Sequence, residues 1–543
     1  MRASGPGLAA PPGCVVAGTG SASGKTTLTL ALLCALRARG LNVHAAKTGP
    51  DFIDVAFHAA LTGRPAANLD TWMCREARPA SRPGAGRGLP PGLVRLYARL
   101  AAPDADGRPP DLIVAEGAMG LFDGGHKGAG STAQLAARLG LPVLLCLHAG
   151  GLGQSAAAVA EGFLRHRPAW AAREAPLSFL GLVCTHVGSP RHAALLRAAL
   201  APLRRELPLL GLLPREGAPD LRSRHLGLVE AREALPQVDP AALACWLEQN
   251  CRLDLLLRRL GLAPRRAAQK APGKGPAPAA PHTAARQAAP VTRFFAAAGQ
   301  LPPDLPAPAG AAAVQAAATR PRPRAARRPV VGLAWDAAFS FCYADLPALW
   351  QELGARVVVF SPLQDKAPPP DCAGLYFPGG YPELHAAALA ANTAFRAALV
   401  RLAREGRPVY GECGGYIYLM RSLRLQGQDY PMSGLLPLSC TLSDRRAALG
   451  YRAALALPGW PAPPGPQAHA APLWTRGHEY HYAAENGPLP PACRPLWRLY
   501  DSAGVLLREE GCRLGCAAGS WLHCYPEGSR RFWRAWLRAL PRI

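Results

Sequence analysis

No apolar run in the chain is long enough to span a bilayer, and no membrane partner is expected. The first dozen residues, Met1 to Pro12, lack an apolar core segment, so an export signal is not expected either. None of the 15 cysteines forms a CxxC pair. Without export, they read as reduced thiols of a cytoplasmic protein rather than a disulfide framework or a zinc site. Acidic residues are few, 36 against 61 basic ones, which leaves a formal net charge of +25. That excess would suit nucleic acid, a membrane surface or an anionic substrate. Arg far outnumbers Lys, however, and Ala and Pro are abundant, which is the pattern of a compositional bias spread over a genome. No nucleic-acid partner is expected.

At 543 residues the chain is too long for one typical core. Apolar segments alternate with helix-like segments from Val15 to about Leu262. Strand candidates are Cys14–Ala17, Val43–Ala46, Leu112–Ala115, Val143–Leu147 and Leu180–Cys184, with a helix over Thr26–Arg39 ended by Gly40. Alternation resumes at Val330–Ala334, Val357–Phe360, Gly374–Phe377 and Pro408–Gly411. The fold class expected is therefore α/β, with two doubly wound domains, 13–262 and 329–543. Residues 1–12 are expected to be disordered. Residues 263–328 are rich in Ala, Pro and Arg, and carry a single acid, Asp304. A segment so poor in large apolar side chains does not offset its ordering entropy, and it reads as a disordered linker. Its one aromatic pair, Phe294 and Phe295, is too little for a nucleic-acid-binding arm. A second Pro/Gly/Arg-rich patch, Arg75 to Pro91, reads as a surface loop.

Gly18-Thr-Gly-Ser-Ala-Ser-Gly24-Lys25-Thr26-Thr27 lies between a predicted strand and a predicted helix, as a phosphate loop requires. Small residues let backbone N–H groups close on phosphate oxygens, and the helix start adds partial positive charge. Lys25 is placed to reach the outer phosphates of a bound triphosphate, and the Thr26 hydroxyl to ligate Mg²⁺. Five residues separate the two glycines, one more than in the usual pattern. Two acidic clusters follow, Lys47-Thr-Gly-Pro-Asp51-Phe-Ile-Asp54 and Glu116-Gly-Ala-Met-Gly-Leu-Phe-Asp123, each after a strand. Carboxyl ends of parallel strands gather ligands. Glu116, Asp51 or Asp54, and Thr26 supply oxygens of the kind Mg²⁺ takes, while Lys25 and Lys47 face the phosphates.

Gly411-Glu412-Cys413-Gly414-Gly415 joins a predicted strand to a helix-like run, Tyr416–Arg424. Glycines on both sides of a cysteine mark a strained turn that presents a nucleophile. The helix start is expected to lower the pKa of the Cys413 thiol. Pro378-Gly379-Gly380-Tyr381-Pro382-Glu383 ends another strand, and its backbone N–H groups, with that of Gly414, are suited to an oxyanion. His523, in Gly519-Ser-Trp-Leu-His523, is the leading candidate for the base. His478 and His481, in Arg476-Gly-His-Glu-Tyr-His481, compete with it.

These words together resemble the cobyrinic acid a,c-diamide synthase family over nearly the whole chain. The resemblance rests on Lys47–Asp54, Asn68-Leu-Asp70, Glu116–Gly124, Phe360–Leu363, Gly379–Glu383, Glu412–Gly415, Leu449–Arg452 and Arg476–Glu479. It implies a dethiobiotin synthetase-like ATP domain and a class I glutamine amidotransferase-like domain, the five-residue glycine spacing being that of the former. It further implies Gly18, Gly24, Lys25, Thr26, Thr27 and Lys47 as nucleotide-binding residues, Cys413 as the glutaminase nucleophile and His523 as its base. ATP and glutamine are the implied co-substrates, and the a and c acetates of a corrin polycarboxylate the implied targets. Related readings are a cobyric acid synthase, a nickel-sirohydrochlorin a,c-diamide synthase, or a phosphate-loop ATPase with a non-catalytic amidotransferase-like domain. The chain departs from the family at three places: Ala22 stands where glycine is usual, the linker is longer, and His523-Cys-Tyr-Pro-Glu527 replaces a His-x-His-Phe pattern.

Overall fold

The structure, a computed structural model, describes residues 12–76, 88–104, 106–217, 238–263, 328–461 and 472–541. The N-terminal segment, nearly all of the linker with Phe294 and Phe295, and most of the Arg75–Pro91 patch lie outside the described residues.

The first half builds one seven-stranded parallel sheet. Its strands are β1 (Gly13–Gly18), β2 (Val43–Thr48), β3 (Ala67–Leu69), β4 (Leu112–Gly120), β5 (Val143–His148), β6 (Phe179–Val187) and β7 (Leu209–Pro214). The order across the sheet is β3-β2-β4-β1-β5-β6-β7. Cys14, Val15, Val16 and Ala17 have no exposed surface, because helices cover both faces of a parallel sheet. Helix α1 (Lys25–Ala38) turns Leu28, Leu32, Leu33 and Leu36 inward and stops before Gly40, which takes the left-handed conformation. Helix α2 (Phe52–Thr62) starts at Asp51, whose carboxylate accepts from the Ile53 and Asp54 amides. Helix α3 (Pro91–Ala101) follows.

The second half carries β8 (Val330–Ala334), β9 (Arg356–Phe360), β10 (Gly374–Phe377) and β11 (Val409–Glu412). With Ala517–Ser520 they pair in parallel in a six-stranded sheet, and Cys512–Leu514 closes one edge antiparallel. Two further sheets are present that the sequence reading did not foresee. One has four short strands between Ser422 and Glu485. The other is an antiparallel five-stranded sheet that holds Ala448–Ala456, Trp474–His481 and His523–Cys524. The helix expected over Tyr416–Arg424 is correspondingly shorter. It runs Gly414–Leu419, and Ser422–Leu425 is a strand. Gln426 and Gly427, both at positive φ, form a two-residue hairpin turn that pairs Leu425 with Gln428. This turn favours the strand over helix continuation.

One hydrophobic core runs through both halves, from Val15, Leu69 and Trp72 to Trp350, Trp533 and Trp536. Polar contacts close the seam. The Tyr451 hydroxyl donates to Asp70 Oδ2 at 2.6 Å, and that of Tyr525 to the Asn68 carbonyl at 2.6 Å. Arg476 donates to the Trp72 carbonyl at 2.8 Å and stands over its indole ring, 4.4 Å from the centroid. The buried Glu527 carboxylate accepts from Arg95 at 2.9 Å and Arg99 at 3.1 Å. Gly528 is required by this packing, since a Cβ there would stand 2.0 Å from the Met73 carbonyl oxygen. Among the described residues all 15 cysteines are free, and no helix is long and apolar enough to cross a membrane.

Candidate active site

The loop after β1 opens between its neighbours β4 and β5 and leads into α1. Gly24, at φ 84°, makes the turn into the helix. Ala22, the residue in place of a usual glycine, also takes positive φ, at 56°. Thr185 and Cys146 donate to the Ser23 carbonyl at 2.8 and 3.1 Å and fix the loop from behind. Lys25 folds over it and donates to the Gly20 carbonyl at 2.8 Å. Burial, then the nearby Lys47 charge, lowers the Lys25 pKa. Thr27 follows on the first turn of α1.

Register places Lys47 of β2 beside Glu116 of β4 at the carboxyl end of the sheet. Glu116 is fully buried. Its Oε1 accepts from the Thr26 hydroxyl at 2.6 Å and from Lys47 Nζ at 2.8 Å, and its Oε2 lies 2.8 Å from His58 Nε2. Lys47 also contacts Asp54, and Asp51 lies 3.8 Å away. Burial alone would discharge Lys47, but the three carboxylates hold it protonated and its pKa rises. Burial likewise works against the Glu116 charge, but Lys47 and His58 outweigh it and hold the carboxyl below its usual range. Asp54 moves the other way, pushed up by burial and by the Glu116 and Asp51 charges. The structure thus gathers Thr26, Lys47, Asp51, Asp54 and Glu116 into one cluster beside Lys25. His58 was missed in the sequence, although its spacing of four from Asp54 puts both on one face of a helix.

The donor set here is a hydroxyl and carboxylates, the hard oxygens that Mg²⁺ takes. Among the described residues no three His, Cys, Asp or Glu side chains converge to hold a metal by themselves.

In the second half, Cys413 stands at φ 49°, ψ −104° between β11 and the helix Gly414–Leu419. This is the strained turn expected of a nucleophile elbow. Its amide donates to the Ser520 carbonyl at 2.8 Å. A Cβ on Gly414 would stand 2.8 Å from the Gly380 amide nitrogen, so the two backbone segments named for an oxyanion are adjacent. Phe341, Tyr381, Glu383, Tyr480 and His481 line a pocket with Cys413. The expected lowering of the thiol pKa is reversed. Burial first, and the Glu383 charge next, push the Cys413 thiol up, against the hydrogen bond from the Gly414 amide. A six-residue helix start does not outweigh burial.

His523 pairs with His478 across the five-stranded sheet, and their rings stack with centroids 4.8 Å apart. Burial, then His481, lowers the His523 pKa to about 3, so its ring is neutral. Its Nδ1 has no partner among the described residues. The ring lies against Gly379 of the Gly-Gly-Tyr-Pro turn, where a Cβ would stand 2.4 Å from His523 Cε1. His481 sits on the Cys413 pocket wall, stacked on Trp521, and its Nε2 also lacks a partner among the described residues. Tyr525, at the position of the missing second histidine, bonds to Asn68 of the other half instead.

Residues 14–228 match a family model described as the CobQ/CobB/MinD/ParA nucleotide binding domain. Residues 330–530 match the CobB/CobQ-like glutamine amidotransferase domain. A hydrogenobyrinate a,c-diamide synthase of Rhodobacter capsulatus is 39% identical over 522 residues, 94% of this chain and 98% of that one. Another protein of that name, from Brucella suis, is 36% identical over 519 residues, again 94% and 98%. The chain belongs to the cobyrinic acid a,c-diamide synthase family. Like other members of that family it is a glutamine-dependent carbon–nitrogen ligase, with a nucleotide-binding half and an amidotransferase half. Among solved structures, PurLQS from Thermotoga maritima is similar to 39% of this chain and 98% of its own, at 15% identity and a TM-score of 0.30. The family's words fall on both clusters above. Lys47–Asp54 carries the cation and carboxylates of the first, and Gly379–Glu383 and Glu412–Gly415 frame the second.

Proposed function

We propose that this protein amidates the a and c carboxylates of hydrogenobyrinic acid in the cytoplasm, with cobyrinic acid as the alternative substrate. The metal-free macrocycle is favoured by the names of the relatives. The carrying observation is that one chain holds both clusters, a phosphate loop with its Lys47–Glu116–Thr26 cluster and a Cys413 elbow. ATP transfers its outer phosphoryl group to a substrate carboxylate and gives an acyl phosphate and ADP. The loop amides, Lys25 and Lys47 position and neutralise the phosphates. Thr26, with Asp51, Asp54 or Glu116, would hold Mg²⁺, which when bound neutralises charge on the phosphate oxygens. His523 takes the Cys413 proton as the sulfur attacks the side-chain amide of glutamine, and the Gly380 and Gly414 amides hold the oxyanion. The amide nitrogen leaves as ammonia, and water later releases glutamate from the thioester. Ammonia displaces phosphate from the acyl phosphate and forms the new amide. Packing of the two halves against each other shields that intermediate from water.

The test is mass spectrometry of hydrogenobyrinic acid, cobyrinic acid and nickel-sirohydrochlorin incubated with protein, ATP and glutamine. Two amidations on hydrogenobyrinic acid are expected. Amidation of the nickel macrocycle alone, or of none, would overturn the reading. Parallel assays of His523→Asn and His481→Asn decide the base, with the larger loss of glutamine hydrolysis expected at His523.

A further inference from the structure

Among the described residues that line the Cys413 pocket, His481 is the one histidine. It ends the strand Trp474–His481, and the carbonyl oxygen just before it, that of Tyr480, lies 3.8 Å from Cys413 Sγ. Two contacts fix its ring. Nδ1 stands 2.7 Å from the Ala483 carbonyl oxygen. A carbonyl only accepts, so Nδ1 carries the proton, and Nε2 of the neutral ring keeps its lone pair. Trp521 covers one face, with centroids 4.3 Å apart and planes 11° apart. That indole is itself buried and donates to Glu485 Oε1 at 2.7 Å. Burial lowers the His481 pKa, against the Ala483 hydrogen bond, so the ring is neutral near pH 7. Nε2 is buried and has no partner among the described residues. A lone pair on a ring of set tautomer, in the wall beside a nucleophile, is the equipment of a general base.

The other two histidines are placed differently. His478 has Nδ1 3.1 Å from the Tyr343 hydroxyl and stacks on His523. His523 packs against Phe52 of the nucleotide half. His523 is thus bounded by the seam between the halves, and His481 by the pocket. Resting on the amidotransferase reading above, we infer that His481 is a second catalytic histidine, the base and then the acid that breaks down the glutamyl thioester on Cys413. His523 serves thioester formation and the release of ammonia, and His481 serves the step that follows. The oxygen of water bonds to the thioester carbonyl carbon, and one proton of that water passes to His481 Nε2. The C–S bond then breaks, its electron pair goes to Sγ, and His481 returns the proton to the sulfur. Glutamate leaves with its new carboxyl, whose proton goes to solvent, and the free thiol is restored. Burial of Cys413 gives this return its purpose, since a strongly basic thiolate leaves poorly unless it receives a proton.

The test mixes the full chain with L-glutamine and follows ammonia, glutamate and intact protein mass by rapid quench. His481→Asn removes Nε2 and keeps a donor for the Ala483 carbonyl. It should release a burst of ammonia, about one per chain, at close to the unaltered rate. Later turnover should fall by about a hundredfold, the scale of one general acid–base group, while glutamyl thioester accumulates on the protein. Hydroxylamine, a nucleophile that needs no base at neutral pH, should discharge that thioester as the hydroxamate and restore turnover. His523→Asn should give neither burst nor thioester. His481→Gln, which also lacks a group to take the proton, should behave as His481→Asn does and covers the case in which the Asn variant folds poorly. A folded His481 variant with unaltered turnover overturns the inference. So does one that loses the ammonia burst together with turnover, because His481 would then act before the thioester forms. If the unaltered protein neither hydrolyses glutamine nor forms a thioester, the amidotransferase reading falls and this inference with it.

Discussion

The ring of Phe52 lies against that of His523, with centroids 5.3 Å apart. Phe52 belongs to the nucleotide half, at the first position of α2. Its neighbours in sequence are Asp51, the helix cap, and Asp54, the partner of Lys47. Its ring also meets Tyr343 at 4.6 Å, His478 at 5.6 Å and Phe341 at 5.7 Å, all in the amidotransferase half. Any shift of α2 that accompanies ligand binding near Lys47 therefore moves a side chain packed on the proposed glutaminase base.

Phe52→Ala is accordingly expected to weaken coupling between the two half-reactions. Glutamate formed per amide formed should rise several-fold, while glutamine hydrolysis becomes less responsive to ATP and macrocycle. The lost packing should also cost stability on the order of 2 kcal/mol, below the range for a fully buried phenylalanine. A melting curve separates that cost from the coupling effect. An unchanged ratio of glutamate to amide would show that the contact only packs the seam.

Cys413→Ser should abolish glutamine-dependent amidation and leave amidation driven by added ammonia. The reason is geometric. Cys413 lines a pocket of the amidotransferase half, whereas Lys25, Thr26 and Lys47 belong to the other sheet. Loss of both activities in a folded variant would mean that the sulfur acts beyond glutamine hydrolysis.

The phosphate loop and the elbow were legible in the sequence because each is a local word whose residues act within one turn of chain. The apolar runs around them, Val330–Ala334 and Gly374–Phe377 among them, are strands over those same residues. The five-stranded sheet was not legible. Its pairing of Ala448–Ala456 with Trp474–His481, and of His478 with His523, joins short half-buried strands far apart in sequence. For the same reason the sequence offered three histidines without ranking their surroundings. It also gave no role to Phe52, whose aromatic ring partners lie beyond the linker. The sign of the Cys413 shift was misread because a helix start is visible in sequence and burial is not.

Glu412 offers a test of burial through pH. It is 2% exposed, accepts a hydrogen bond from the Tyr376 hydroxyl at 2.8 Å, and burial raises its pKa to about 8. In the unfolded chain the carboxyl loses its proton near the ordinary value of 4.5, while the folded protein keeps it to about 8. Between these values the folded state binds the extra proton, so stability falls as pH rises. Glu412→Gln removes the titration and keeps the shape. The melting temperature of the variant relative to the unaltered protein should therefore climb from pH 5 to pH 8, by an amount equivalent to a few kcal/mol at most. A difference that does not vary with pH would mean that Glu412 is ionised in the fold.

Glu116→Gln separates two jobs that one carboxylate does in the nucleotide half. Glu116 holds the Thr26 hydroxyl at 2.6 Å, and it is the buried counter-charge of Lys47 at 2.8 Å. The amide keeps the size and one acceptor oxygen, but it leaves Lys47 to Asp54 and Asp51 alone. Breaking a buried ion pair at one partner costs about 3–5 kcal/mol, and the remaining carboxylates should hold the loss to the low end. If Glu116 also helps hold Mg²⁺, through Thr26 or directly, the Mg²⁺ concentration for half-maximal ATP turnover should rise several-fold. Excess Mg²⁺ should then restore part of the rate. Glutamine hydrolysis, measured without ATP, reports on the other half and should change far less. The decisive comparison is between the melting temperature and the Mg²⁺ titration of the same preparation. A destabilised variant with unaltered Mg²⁺ dependence would confine Glu116 to holding Lys47 and give the metal to Asp51 or Asp54, because Asp51 has 36% of its side chain exposed and therefore has open carboxylate surface to offer.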